Sequence, residues 1–170
     1  HFPTVASLAR ASLADVLKAW QGMGYNRRAK MLREAAQVIL HRHGGEVPRT
    51  VDELDALPGI GRATACSICA FAFDLPTVFI ETNIRSVFIH HFFRDAAKVS
   101  DEQLLPLVEQ ALDRRHPYRW YSALMDYGVF LKKRFANPSR RSAHHVRQSA
   151  FEGSDRQLRG QIIRLLLNEK

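Results

Sequence analysis

The chain has 170 residues, of which 46% are hydrophobic, and carries a formal net charge of +8 at pH 7 with an isoelectric point near 10.0. This length and composition allow one or two compact lobes with a buried core, and the excess of basic residues points to a polyanionic partner. No apolar run approaches the ~18 residues of a membrane-spanning helix, so a membrane partner is not expected.

Helical periodicity runs through nearly the whole sequence and predicts an all-α fold, a helical bundle. Two capping-box patterns mark helix starts, Ser12 followed by Asp15 and Ser100 followed by Gln103. The one strand-like run, residues 77–80, is too short and isolated to build a sheet. We expect helices at about residues 4–10, 13–20, 25–43, 51–56, 62–73, 83–93, 101–113, 118–133 and 155–168.

A glycine-rich turn at residues 22–24 precedes a basic helix that begins with Arg27 and Arg28. Tyr25 follows this turn directly, and an exposed aromatic ring beside cations can insert between nucleic-acid bases. The alternative is a core aromatic residue that caps the next helix. The sequence therefore leaves two interpretations of Tyr25.

Residues 57–62 read Leu-Pro-Gly-Ile-Gly-Arg and precede an apolar helix. The two glycines allow a sharp turn from which peptide N–H groups can point outward at a helix N-terminus, which makes an anion site. An ordinary helix–helix turn is the alternative. The chain's two cysteines, Cys66 and Cys69, lie in this helix. Two cysteines exclude a disulfide framework, and the apolar helix favours buried thiols over a metal or redox pair.

Residues 57–65 resemble the helix-hairpin-helix of the base-excision DNA glycosylases, a family that includes endonuclease III and the adenine DNA glycosylases. Segments 2–5, 19–25, 27–30 and 125–128 match the adenine-specific branch in the same order and spacing, so the resemblance covers roughly residues 2 to 130. It implies a helix-hairpin-helix glycosylase fold. We expect a helical core over 1–133, with the helix-hairpin-helix at about 51–73, and a basic linker and C-terminal helix over 134–170 that pack on this core.

The resemblance implies double-stranded DNA as the partner of a monomeric protein. Tyr25 matches a tyrosine that wedges into DNA, whereas Asn26 replaces a second family tyrosine, so contacts to the opposite strand are expected to differ. We expect the remaining DNA contacts from residues of the basic helix and the hairpin, namely Arg27, Arg28, Leu57, Gly59, Ile60, Gly61, Arg62, Ala63 and Thr64.

Glu81 lies between an apolar extended run and a helix that starts near Asn83, and we expect these two residues in the catalytic site. A carboxylate beside the sugar can stabilise an oxocarbenium-like charge or orient water. The family has aspartate at this position, and the extra methylene of Glu81 shifts the charge by ~1.5 Å. The alternative is a helix-terminal acid that interacts with the helix dipole.

Ala63 occupies the position where relatives that also cut the DNA backbone carry a Schiff-base lysine, so the resemblance implies a monofunctional hydrolase. Lys30, Lys132 and Lys133 are expected on solvated helix faces.

Many relatives bind a [4Fe–4S] cluster through four cysteines, and the corresponding positions here are Lys132, Ser139, Ser142 and about Gln148. We therefore expect no cluster, and we expect helix 155–168 to pack in its place. The basic segment 127–151 is expected to contact phosphates or to form a solvated linker. No zinc site is expected from the histidine pairs, whereas hairpin carbonyls are compatible with a monovalent cation.

The expected activity is release of adenine mispaired with guanine or oxidised guanine. The alternatives are a uracil or thymine mismatch glycosylase and a DNA-binding module without catalysis. Such a protein is expected with the nucleoid in a prokaryotic cytoplasm or in a eukaryotic nucleus. The family pattern begins before His1, with helices that supply a second catalytic glutamate. We therefore expect residues 1–170 alone to bind DNA but to release adenine poorly.

Overall fold

The computed structural model describes residues 1–168, and within that range it consists of helices joined by loops, without a β-strand. All nine helices predicted from the sequence are present, with ends within two residues of the expected ones. None of the helices within residues 1–168 is long and apolar enough to cross a membrane. The helices are α1 (Val5–Arg10), α2 (Leu13–Ala19), α3 (Arg27–Arg42), α4 (Val51–Asp55), α5 (Arg62–Phe73), α6 (Thr82–Phe92), α7 (Asp101–Ala111), α8 (Pro117–Arg134) and α9 (Asp155–Asn168), with a 3₁₀ turn at Pro138–Arg141.

Both predicted helix starts form as the sequence indicates. The Ser12 hydroxyl accepts a hydrogen bond from the Asp15 N–H at 3.1 Å and donates one to the Asp15 carboxylate at 2.6 Å. The Ser100 N–H donates to the Gln103 side chain at 3.0 Å. These contacts satisfy amides that a helix leaves without an internal partner, so local sequence alone determines where α2 and α7 begin.

One compact unit comprises residues 1–48, 56–60 and 148–168. Its centre is α3, whose inner face carries the small residues Ala29, Ala35 and Ala36, all buried. Small side chains allow close helix packing, and α3 contacts both α1 and α2. The Arg33 side chain donates to the Ala11 carbonyl at 2.6 Å and thereby satisfies the backbone at the end of α1.

The second unit comprises residues 49–55 and 61–147 and contains the main hydrophobic core. Helix α6 packs against α7 and α8. Tyr121 of α8 is fully buried, its ring stacks on Phe79 at 4.3 Å between centroids, and its hydroxyl donates to the Thr77 carbonyl at 2.8 Å. Burial raises the pKa of Tyr121 to about 12. These contacts hold residues 77–79, which lie directly before α6, against α8 in an extended form.

The loop after α8 is held by an arginine. The Arg141 guanidinium donates to the carbonyls of Phe93, Arg94 and Ala96, at 2.5, 2.6 and 3.2 Å. These carbonyls follow the end of α6, where backbone oxygens lack partners within the helix. A bridge between Val99 and Ser142 holds the loop from its other side. Within the second unit, these polar contacts connect residues 139–143 to the segment after α6.

The expected packing of the C-terminal helix on the core stays a prediction. Helix α9 belongs to the first unit, where it contacts α2, whereas residues 134–147 belong to the second unit. The boundary expected at residue 133, between the helical core and the basic C-terminal segment, stays a prediction.

We expect Arg141→Met to lower the free energy of unfolding by about 2 kcal/mol, because several carbonyls lose a charged donor. Chemical denaturation measures this change. Arg140→Met is the matched control, since Arg140 is exposed in the same turn and its loss should change stability by less than ~0.5 kcal/mol. Equal stability of the two variants would contradict the role assigned to Arg141.

Candidate functional site

The hairpin contains a type II turn at residues 57–60. The Ile60 N–H donates to the Leu57 carbonyl at 3.1 Å, and Gly59 adopts φ +75° at the third position of the turn, after Pro58. A Cβ atom on Gly59 would lie 2.5 Å from the Cβ of Met31 in α3. Glycine is thus required here for both backbone conformation and space. Leu57 is 3% exposed, so its side chain is not available to a ligand.

The start of α5 presents free amides. Gly61 is the N-cap, no side chain caps the helix, and the first helical hydrogen bond runs from the Ala65 N–H to the Gly61 carbonyl at 2.9 Å. Residues 61–64 are exposed. The N–H groups of Arg62, Ala63 and Thr64 are therefore available to an anion such as a phosphate.

Position 61, unlike position 59, does not require a glycine. Its φ of −104° is open to any residue, and nothing lies within 4 Å of a Cβ built on it. Arg62 forms an ion pair with Asp52 of α4, but both side chains are mostly exposed, so the pair contributes little stability. The surface around Gly61 is open to a ligand.

Tyr25 is an exposed residue in a strained conformation. Its side chain is 64% exposed and its φ is +50°, which is uncommon for a residue other than glycine. This exposure contradicts the alternative of a core aromatic. The Tyr25 hydroxyl accepts a hydrogen bond from Gln148 at 2.8 Å, a contact that connects residues distant in sequence and that sequence analysis did not predict.

Arg27 and Arg28 are exposed in the first turn of α3, and no side chain caps this helix at Asn26. Cations at a helix N-terminus oppose the helix dipole, so this arrangement does not favour stability. It concentrates positive potential directly after Tyr25, as a phosphate-binding surface requires. The roles of these residues in DNA binding stay predictions.

Glu81 is the N-cap of α6. Its Oε1 accepts hydrogen bonds from the N–H of Ile84 at 2.9 Å and from the N–H of Asn83. Its Oε2 lies 3.4 Å from the side-chain nitrogen of Asn83. The geometry thus includes the helix-terminal contacts of the alternative interpretation, and it also fixes a half-buried carboxylate at the entrance to α6.

Lys132 lies beside this carboxylate, contrary to the expectation of a solvated position. Its Nζ donates to the Oδ1 of Asn83 at 2.7 Å, and burial lowers the pKa of Lys132 while the nearby Glu81 opposes that shift. Sequence analysis missed Lys132 as a site residue. Its signal is the spacing of Met125, Gly128 and Lys132, which lie on one face of a helix.

The basic segment 127–151 divides into two groups. Lys132 and Arg141 make hydrogen bonds within the protein, and their expected contact with phosphates stays a prediction. The exposed basic and histidine side chains that remain are Lys133, Arg134, Arg140, His144, His145 and Arg147.

Metal ligands do not gather within residues 1–168, where no group of three His, Cys, Asp or Glu side chains could hold an ion. Cys66 and Cys69 are buried free thiols, as the sequence predicts, and burial raises their pKa.

An all-α fold in which a glycine turn leads into an uncapped helix start defines a class of helix-hairpin-helix proteins. The chain belongs to the HhH-GPD superfamily of base excision DNA repair proteins, because the family described as "HhH-GPD superfamily base excision DNA repair protein" matches residues 1–110. The "Adenine DNA glycosylase" of Mycolicibacterium smegmatis is 34% identical over 185 residues, which cover 98% of this chain. The chain spans 62% of the length of that relative.

Solved structures support the fold. A thermostable thymine-DNA glycosylase aligns with a TM-score of 0.62 and 21% identity, covering 74% of this chain and 59% of the other. An endonuclease III trapped as a covalent intermediate with DNA aligns with a TM-score of 0.55 and 21% identity, covering 94% and 70%. At this identity the likeness concerns the fold alone, and it confirms the predicted all-α helix-hairpin-helix architecture.

The two hairpin glycines are expected to respond differently to substitution. Gly61→Val should fold normally but weaken duplex binding for all sequences alike, because its side chain blocks a phosphate from the amides of α5. Gly59→Ala should instead lower stability by about 1–3 kcal/mol, because of its positive φ and its contact with Met31. Thermal unfolding and duplex titrations at several salt concentrations measure both. A loss of affinity confined to particular sequences in Gly61→Val would mean that the loop reads bases.

Proposed function

We propose that this chain carries the base-releasing site of a DNA repair glycosylase, which flips a mispaired base out of duplex DNA and hydrolyses its N-glycosidic bond. Adenine opposite guanine or oxidised guanine is the substrate that we propose. The mycobacterial relative, named adenine DNA glycosylase, supports this choice because it matches 98% of the chain. The observation that carries the proposal is the fixed Glu81 carboxylate at the start of α6.

Glu81 supplies the negative charge that this reaction needs. As the base departs, the sugar acquires oxocarbenium character, and a nearby carboxylate stabilises it or orients the attacking water. Two backbone N–H groups hold Oε1 of Glu81, so the carboxylate needs little reorganisation during the reaction. Oε2 receives only a long contact from Asn83 and retains lone pairs for a water or a sugar.

DNA binding has its own support in the exposed groups of the chain. The free amides of residues 62–64 suit a phosphate, and the exposed ring of Tyr25 suits insertion between bases. We propose that the protein is monomeric. We also propose that it acts in the nucleoid of a prokaryote or in the nucleus of a eukaryote.

We propose further that the protein works without an iron–sulfur cluster. The chain has two cysteines, both of them buried in α5, whereas a [4Fe–4S] cluster is held by four. A monovalent cation bound by hairpin carbonyls stays a proposal.

A DNA-binding module without catalysis is the second candidate. It is favoured by one observation, namely that Glu81 already caps α6 and so has a structural role. Release of uracil or thymine opposite guanine is a variant of the first proposal, because Asn26, Ala63 and Glu81 depart from the adenine-branch pattern.

A panel of duplexes distinguishes these candidates. We expect residues 1–170 to release adenine slowly but measurably from mispairs with guanine and oxidised guanine, and Glu81→Gln to lower this rate at least ~100-fold while duplex affinity stays within ~3-fold. Glu81→Asp keeps the charge but moves it by ~1.5 Å, so it should release base more slowly than the wild type and faster than Glu81→Gln. Single-turnover assays on adenine, uracil and thymine mispairs measure these rates.

The matched control is Glu109→Gln, since Glu109 is exposed on α7 and pairs only with Arg114. Full turnover by Glu81→Gln would exclude Glu81 as the catalytic carboxylate. Tight binding without release from any duplex, both by residues 1–170 and by an N-terminally extended form, would favour the non-catalytic module.

We expect borohydride to trap no covalent protein–DNA adduct, because Ala63 has no amine and the Lys132 amine is hydrogen-bonded to Asn83. Gel electrophoresis after reduction measures the adduct. A trapped band would contradict monofunctional hydrolysis, and its loss in Lys132→Met would identify Lys132 as the attacking amine.

A further inference from the structure

Helix α8 touches the first turn of α6 through a glycine. A Cβ atom on Gly128 would lie 2.6 Å from both the Cβ and the carbonyl oxygen of Asn83. Only glycine permits this approach without a shift of backbone. Because Lys132 follows Gly128 by one helical turn, the same face of α8 brings its amine to the Asn83 side chain.

The chemistry of the groups assigns the orientation of the Asn83 amide. The Lys132 ammonium can only donate hydrogen bonds, so the Asn83 oxygen faces it at 2.7 Å. The Asn83 side-chain nitrogen then faces the Oε2 of Glu81 at 3.4 Å and the sulfur of Met125 at 3.8 Å. Lys132, Asn83 and Glu81 thus form a chain of contacts from α8 to the carboxylate.

The Asn83 amide also separates the two charges. Among residues 1–168, Lys132 forms no ion pair with a carboxylate within 4.0 Å. A direct ion pair with Glu81 would neutralise the charge that the proposed reaction uses, whereas an intervening neutral amide keeps that charge available. A half-buried lysine is costly without a partner, and this arrangement supplies one.

We propose that Lys132 is a positioning residue that acts through Asn83 to fix the Glu81 carboxylate for base release. This inference rests on the proposed catalytic role of Glu81. Lys132 does not touch the substrate in this account. Its ammonium fixes the Asn83 amide, and that amide limits the rotation of the Oε2 atom of Glu81.

The test compares neutral and charged replacements of Lys132. We expect Lys132→Met and Lys132→Gln to lower the single-turnover rate of base release ~10–100-fold, since misplacement of a catalytic group by ~1 Å has such an effect. Duplex affinity should stay within ~3-fold, and Lys132→Arg should restore most of the rate. Lys98→Met is the matched control, because Lys98 is exposed outside the site and its variant should retain the wild-type rate.

A double-mutant cycle tests whether Lys132 acts through Asn83. In an Asn83→Ala background, Lys132→Met should lower the rate no further, because the contact it removes is already absent. An equal loss in both backgrounds, or a wild-type rate in the folded neutral variants, would overturn the proposal while the function stands. Thermal unfolding identifies the variants that fold.

A second measurement does not depend on activity. The side-chain amide resonances of Asn83 in NMR spectra should shift in Lys132→Gln and stay unchanged in Lys98→Met. If the wild-type protein releases no base, the proposed function fails, and the role of Lys132 in catalysis fails with it. Unchanged Asn83 resonances in Lys132→Gln would by themselves overturn the positioning contact.

Discussion

The contact between Gly128 of α8 and Asn83 of α6 is the constraint on which the proposed site depends. Because glycine leaves no side chain between the two helices, their backbones meet at the first turn of α6. This approach determines where the Asn83 amide lies, and it brings Lys132 within hydrogen-bonding distance of it. A larger residue at position 128 would separate α8 from the turn that Glu81 caps.

Glu81 combines a structural role with the proposed chemical one. As the N-cap of α6 it accepts hydrogen bonds from two backbone amides, and these contacts fix its carboxylate. These two contacts occupy the Oε1 atom of Glu81. The proposed base release would therefore depend on the Oε2 atom.

The loop that follows α8 shows how polar contacts order a segment near the site. Arg141 collects carbonyls that follow α6, and the bridge between Val99 and Ser142 holds the other side of the loop. A guanidinium is suited to this role because it presents five donors and stays charged. These contacts lie at one end of α6, whereas Glu81 lies at the other.

The sequence by itself determined the helices, the hairpin turn and the position of Glu81 before α6, because capping residues, glycines and helical periodicity act over a few neighbouring residues. Only the tertiary structure decided which charged side chains face solvent and which bind groups within the protein. Lys132 and Arg141 read as surface cations, yet each pairs with a group far away in sequence, at Asn83 and after Phe92. Leu57 is buried and Tyr25 exposed for a similar reason, since burial depends on which faces of distant segments meet. No local pattern contains that information, because it arises only when the helices pack.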